Sequence, residues 1–190
     1  MNTRRVGIIA GAFNPVTRAH IALAEAARAH VDEIVFTIPR EFPHKEFAGA
    51  DLHQRIEMLQ LAAEHRVAIT EGGLYIDMAR EIRQSRGEHC DMFVICGRDA
   101  ADRIVTWEYD SPDALRRMFE EFQLLVANRQ GIYVPPEGLQ SRVHSLELPL
   151  DFDDVSSSEV RRRIAAGETW EHLVPESIVS LVRQIYEGRA

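Results

Sequence analysis

Apolar positions change period along this chain, and each change marks an element. Val6-Gly7-Ile8-Ile9-Ala10 is an apolar, partly β-branched run, which predicts a strand covered on both faces. Gly11 and Ala12 end it, Asn14-Pro15 favours a turn, and Ile21, Leu23, Ala24, Ala26 and Ala27 then take helical spacing over 17–30. Ile34-Val35-Phe36-Thr37-Ile38 predicts a second strand, stopped by Pro39. Strand, helix and strand at this spacing imply a right-handed parallel crossover. Asp51 caps a helix over 52–64, with Leu52, Ile56, Leu59 and Ala63 on one face. Within it, Arg55 reads as a solvated helix charge. A short strand over 67–70, a turn at Gly72-Gly73 and a helix opening at 74 follow. Asp91-Met92-Phe93-Val94-Ile95-Cys96 is the clearest central strand. Helices over 100–104 and 112–121, a strand over 122–127, a loop over 131–141 and a last strand over 143–148 come next. A helix opening near 156 ends at Gly167, and 176–186 is amphipathic through Ile178, Leu181, Val182 and Ile185. Strands alternating with helices predict an α/β protein with a parallel sheet.

Composition narrows the class. The 190 residues suffice for one α/β domain with its own core, and 45% hydrophobic with 27% charged residues is the balance of an ordinary soluble protein. A net charge of -8 argues against a general nucleic-acid or membrane-surface role, while leaving room for phosphate ligands held by a local basic cluster. Cys90 and Cys96 do not form C-x-x-C and read as reduced structural thiols of a cytoplasmic protein, with no zinc site expected. Arg4-Arg5 is followed by too short an apolar run for a secretory signal, and no stretch reaches the length of a membrane span.

Two stretches carry candidate chemistry. In the first, a strand ends in small residues and a turn leads into a helix, which aims backbone N–H groups and the positive helix end at one point, suited to a phosphate. Thr17 and His20 lie three apart, so they share a face of the first helical turn and the imidazole points at that anion. The same stretch is neither a dinucleotide fingerprint, lacking G-x-G-x-x-G, nor a P-loop, lacking G-K-[ST]. The second stretch is Val155-Ser156-Ser157-Ser158-Glu159-Val160-Arg161. Ser156 and Glu159 form a capping box. Ser157 and Arg161, four apart, share a face, and hydroxyls with a guanidinium one turn into a helix make a clamp for a triphosphate. Gly97 closes the central strand, and Asp99 either caps the next helix or accepts hydrogen bonds from sugar hydroxyls.

Gly11-Ala12-Phe13-Asn14-Pro15-x-Thr17-x-x-His20 resembles the first signature of the adenylyltransferase/cytidylyltransferase superfamily, and Val155 to Arg161 resembles its Ile-Ser-Ser-Thr-x-Ile-Arg motif. Pro43-His44-Lys45, Arg55 with Met58-Leu59, and Gly97-x-Asp99 followed by Trp107 resemble segments of the bacterial nicotinate-mononucleotide adenylyltransferases. The resemblance covers nearly the whole chain. It implies a Rossmann-like, doubly wound, mostly parallel sheet, a single nucleotidyltransferase domain over 1–190, and a small C-terminal helical part over about 155–190. It further implies adenylyl transfer from ATP to nicotinate mononucleotide, with Mg²⁺ accompanying the ATP and no protein ligand to the metal identified. His20, Thr17 and Arg161 would be catalytic, with Thr17 donating one hydrogen bond to phosphate. Gly11, Ala12, Phe13, Asn14, Gly97, Asp99, Ser156, Ser157 and Ser158 would join them around ATP. Lys45, His44, Tyr75, Trp107 and Arg129 would hold the pyridine mononucleotide, Trp107 by stacking unless it is a core residue. Nucleic acid and membrane are not expected partners. The chain departs from the family at Thr17, where a histidine is usual, at Ala19, where glycine is usual, and at Leu74 and Ile76, which flank Tyr75 in place of polar residues. These departures keep open nicotinamide mononucleotide or another phosphorylated acceptor such as phosphopantetheine. A binding module without turnover is the reading from another class. A fragment of a class I aminoacyl-tRNA synthetase is disfavoured, because there is no anticodon-binding domain and no Lys-rich second signature.

Overall fold

The structure, a computed structural model, describes residues 3–40, 49–87, 89–107, 111, 113–128, 131–148, 152 and 154–188. Six strands are found among these residues: β1 (Arg4–Ala10), β2 (Glu33–Pro39), β3 (Arg66–Thr70), β4 (Cys90–Gly97), β5 (Gln123–Ala127) and β6 (Val143–Leu146). They pair in parallel in the order β3-β2-β1-β4-β5-β6. The chain begins in mid-sheet, winds outward through β2 and β3, then returns to the other side of β1. That reversal opens a crevice at the carboxyl ends of β1 and β4, where open α/β sheets bind ligands. The fold is therefore the α/β, Rossmann-like, doubly wound parallel sheet expected from the sequence.

Side chains alternate across the strands, so each apolar run serves two cores. Ile9, Phe36, Ile38 and Ile95 face one layer, and Val6, Ile8, Val35 and Val94 the other. The first layer packs under α1 (Arg18–Ala27) and α2 (Leu52–Ala62) through Ala24, Ala27, Met58 and Leu59. The second packs under α3 (Tyr75–Arg86), α4 (Arg98–Thr106) and α5 (Ala114–Glu121) through Met78, Ile82, Ala101, Ile104 and Phe119. The C-terminal segment holds α6 (Ser157–Ala166), two single 3₁₀ turns, Glu171–Leu173 and Glu176–Ile178, and α7 (Val179–Tyr186). Val160, Trp170, Leu173, Ile178, Val182 and Ile185 join the core of the first layer, so this helical part completes one face of the sheet rather than enclosing a core of its own. Among the described residues no helix is long and apolar enough to cross a membrane.

The boundaries differ from the sequence expectation where backbone chemistry decides. The first helix starts one residue after Thr17 and ends at Ala27, not at 30. The helix expected over 100–104 starts earlier, at Arg98, because Gly97 is its N-cap; Asp99 therefore sits in the first turn and makes no side-chain cap bond. There its charge still opposes the positive helix end favourably. Pro112, expected to open α5, lies outside the described residues.

Candidate active site

A cavity of about 390 Å³ occupies the crevice between β1 and β4. Its floor is Ile9 and Ala10 from β1 and Ile95 to Gly97 from β4; its walls are His20 at the start of α1, Asp99 and Arg103 on α4, Tyr75 on α3, and Ser156 to Ser158 at the start of α6. A second cavity, of about 440 Å³, is lined by Arg4, Glu33, His65 and Arg66 at the opposite ends of the strands. There Glu33 already pairs with Arg4 at 3.1 Å and Arg86 at 3.0 Å, which is the arrangement of a structural ion-pair network. The first cavity is the one onto which the N-termini of α1, α4 and α6 open.

The β1–α1 turn is built from the inside. The Gly11 N–H donates to the Thr37 carbonyl at 3.2 Å, continuing the sheet rather than facing a ligand. A Cβ at Gly11 would stand 3.2 Å from the Phe13 ring, so the glycine makes room for that ring. Phe13 adopts φ 48°, is 1% exposed, and meets Phe36 and His20 edge-on at 5.4 and 5.1 Å. Asn14 is also buried; its Oδ1 accepts from the Ala50 N–H at 3.1 Å and from the Tyr186 hydroxyl. The side chains of Phe13 and Asn14 thus hold the turn in place, and neither lines the cavity. Arg55 corrects the expectation of a solvated helix charge. It is 5% exposed, and its guanidinium donates to the carbonyls of Asp51 at 3.2 Å and Ala12 at 3.3 Å. Burial lowers its pKa from the ordinary arginine value.

Thr17 lies at the N-cap of α1. It is fully buried, and its hydroxyl lies 2.8 Å from Nδ1 of His20. Its backbone N–H donates to the same Nδ1 at 3.0 Å. His20 alone of this pair lines the cavity.

At the second motif Ser156 is the N-cap of α6, accepting from the Glu159 N–H at 3.1 Å. The return half of the expected capping box is absent. Glu159 turns instead to Arg162 at 2.8 Å and Arg163 at 2.7 Å, which hold its carboxyl down to about 2. Ser157 donates to the Pro15 carbonyl at 2.7 Å, and Arg161 donates to the Asn14 carbonyl and, at 3.3 Å, to Ser158. These bonds strap the start of α6 onto the β1–α1 turn across more than a hundred residues of sequence, bringing the two motifs to one point. Two of the five guanidinium N–H groups of Arg161 suffice for this, so the same residue can still face a polyphosphate.

The cavity also gathers Gly97, Asp99 and Tyr75. A Cβ at Gly97 would meet no protein atom within 4 Å, so the room beside it belongs to the cavity. Trp107 is not core: it is the C-cap of α4 and 65% exposed, outside the cavity walls. His44, Lys45 and Arg129 lie outside the described residues. Arg103 was missed by sequence reasoning. It stands four residues after Asp99 on α4, the spacing that puts two side chains on one helix face, and that relation was available in the sequence. Cys96, also on the floor, is held as a neutral thiol; burial pushes it up to about 12, which removes it as a nucleophile.

Three helix N-termini, a ring nitrogen, three serines and a cation around one crevice suit a polyanion with a nucleoside attached. Comparison with known proteins agrees. A family model described as cytidylyltransferase-like matches residues 8–163. A protein of Gloeobacter violaceus named "Probable nicotinate-nucleotide adenylyltransferase" is 31% identical, over 95% of this chain and 94% of that protein. One of Bordetella pertussis with the same name is 32% identical, over 96% of each. In fold, the chain resembles Plasmodium falciparum nicotinic acid mononucleotide adenylyltransferase complexed with NaAD, with a TM-score of 0.72, 17% identity, and coverage of 97% of this chain and 98% of that one. The chain belongs to the cytidylyltransferase-like family, with nicotinate-nucleotide adenylyltransferases among its relatives, and is a nucleotidyltransferase.

Proposed function

We propose that this nucleotidyltransferase moves the adenylyl group of ATP to nicotinate mononucleotide, forming nicotinate adenine dinucleotide and pyrophosphate, a step of NAD biosynthesis in the cytoplasm. The observation that carries the reading is the strapping of α6 onto the β1–α1 turn, which brings the N-termini of α1 and α6, with His20, to one crevice. The names of the curated relatives support the acceptor.

In this reading an oxygen of the acceptor 5′-phosphate attacks the α-phosphorus in line, the bond to the β-phosphate oxygen breaks, and pyrophosphate leaves. No covalent enzyme intermediate is required, so catalysis is alignment together with charge stabilisation. His20 donates to the α/β-phosphates, where negative charge develops. Ser156, Ser157, Ser158 and Arg161 hold the leaving pyrophosphate. Gly97 and Asp99 take the adenosine side. His44, Lys45, Tyr75, Trp107 and Arg129 serve the acceptor. Mg²⁺ would arrive with the triphosphate, bound by its oxygens and by water. Among the described residues no group of three or more His, Cys, Asp or Glu could cage a metal, so no protein ligand is assigned and no step depends on one.

One observation favours a second acceptor. Leu74, the N-cap of α3 next to the cavity-lining Tyr75, is 61% exposed, and an apolar side chain at that position suits the uncharged nicotinamide ring better than a carboxylate. The test is pyrophosphate release with ATP and Mg²⁺, offering nicotinate and nicotinamide mononucleotide in parallel. Faster release with the nicotinate form supports the proposal. Faster release with the nicotinamide form transfers it to that acceptor, and ATP binding with release from neither refutes both in favour of a module without turnover.

A further inference from the structure

Helix α1 is capped by an imidazole. In a capping box the side chain at the third helical position accepts a hydrogen bond from the backbone N–H of the N-cap residue, a task usually done by Glu or Gln. Here the N-cap is Thr17, the third position is His20, and the accepting atom is Nδ1, 3.0 Å from the Thr17 N–H. An amide N–H can only donate, so Nδ1 presents its lone pair there and carries no proton. The Thr17 hydroxyl approaches the same nitrogen at 2.8 Å and acts as a second donor. A neutral imidazole has one protonated nitrogen, which by elimination is Nε2. The Phe13 ring, at 5.1 Å and 73° to the imidazole, holds the ring plane. Thr17 is itself fully buried, so solvent does not compete for Nδ1 from its side.

We propose that Thr17 is a positioning residue: its N–H and hydroxyl hold His20 in the Nε2–H tautomer, so that the ring enters the cavity as a hydrogen-bond donor. The functional half of this inference rests on the reading of His20 as a phosphate contact; the tautomer does not. The opposite tautomer would present a lone pair to an anionic oxygen and repel it, so a ring free to exchange would be a competent donor for only part of the time. Threonine at this position thereby acts on the phosphate through its neighbour, without touching it.

The experiment uses the full chain labelled with ¹⁵N-histidine, with His20 assigned by the signal lost in His20→Gln. In the wild-type protein, Nε2 should resonate in the protonated range and Nδ1 in the unprotonated range. Thr17→Val keeps the shape and the backbone N–H but removes the hydroxyl. It should shift the ring toward a tautomer mixture and lower kcat by about tenfold, the scale of one hydrogen bond, with KM for ATP nearly unchanged. Thr17→Ser should restore both. A protonated Nδ1 in the wild-type protein overturns the proposal, whatever the variants do. So does a Thr17→Val protein that folds and loses kcat with its tautomer intact. If the chain fails to transfer adenylyl groups at all, the proposed reaction falls while the wild-type resonances still decide the tautomer.

Discussion

Two of the helices that open onto the cavity begin with one pattern: a hydroxyl residue, then three positions on a side chain able to accept a hydrogen bond. At α1 these are Thr17 and His20; at α6 they are Ser156 and Glu159. At α1 the third-position side chain turns back and accepts from the N-cap N–H. At α6 the carboxylate turns away, because Arg162 and Arg163, three and four residues further on, offer it charge-assisted bonds. His20 has no arginine three or four residues beyond it, so the backbone donor wins. A capping pattern in a sequence therefore states an opportunity. The charged neighbours one turn along decide whether it is taken.

The largest break in this comparison is His20→Ala, which removes both the cap acceptor of α1 and the donor to the cavity. We expect kcat to fall about a hundredfold, as for loss of one preorganised donor to developing charge, with a much smaller loss of ATP affinity. Steady-state pyrophosphate release set against ATP titration checks this, and equal losses in the two would contradict a transition-state role. Next comes Arg161→Ala, which unties α6 from the β1–α1 turn and leaves the Asn14 carbonyl without that donor. Loss of that hydrogen bond from a charged donor costs about 2 kcal/mol, or roughly 4–8 °C in Tm at this chain length. Arg162→Ala, which loses only pairs at an exposed surface, should stay within about 0.5 kcal/mol in the same melt. Ser156→Ala should cost about 1 kcal/mol by loss of the α6 cap, read from chemical unfolding.

The smallest effect reads the α6 carboxylate by pH. Arg162 and Arg163 lower the Glu159 carboxyl from its ordinary 4.5 to about 2. A depressed folded-state value means stabilisation that is fully present above the unfolded value and lost as pH falls through the folded one. The stability gap between wild type and Glu159→Gln should hence be flat above about pH 4.5 and close as pH falls towards about 2. A gap that persists at the acid end would assign the difference to packing.

Much of this was readable beforehand, and the failures share a cause. Periodicity gave every strand of the sheet, since a run such as Ile34 to Ile38 is too short and too apolar for a surface helix. It also contained the burial of Arg55, which sits with Leu52, Ile56 and Leu59 at spacings of three and four, yet its charge suggested solvent. What spacing could not supply was the choice among donors. Asp99 yielded the N-cap to Gly97, Thr17 turned to its neighbour, and Ser157 bonded to a carbonyl 142 residues away. Contacts of that sequence separation leave no local periodic trace. The roles of His44, Lys45 and Arg129 stand as proposals, outside the described residues.

The bond from Tyr186 to Asn14 spans 172 residues. On the ribosome the β1–α1 turn is made well before α7, so one of its side-chain anchors is not synthesised until α7 emerges. Bringing such distant residues together carries a loop-closure penalty that only the intervening sheet can reduce. A nascent chain halted just before α7 would hold both phosphate motifs with the turn only partly fastened. This protein should therefore gain its strand order early and its competence for nucleotide late, in one closing event at the C-terminal helix.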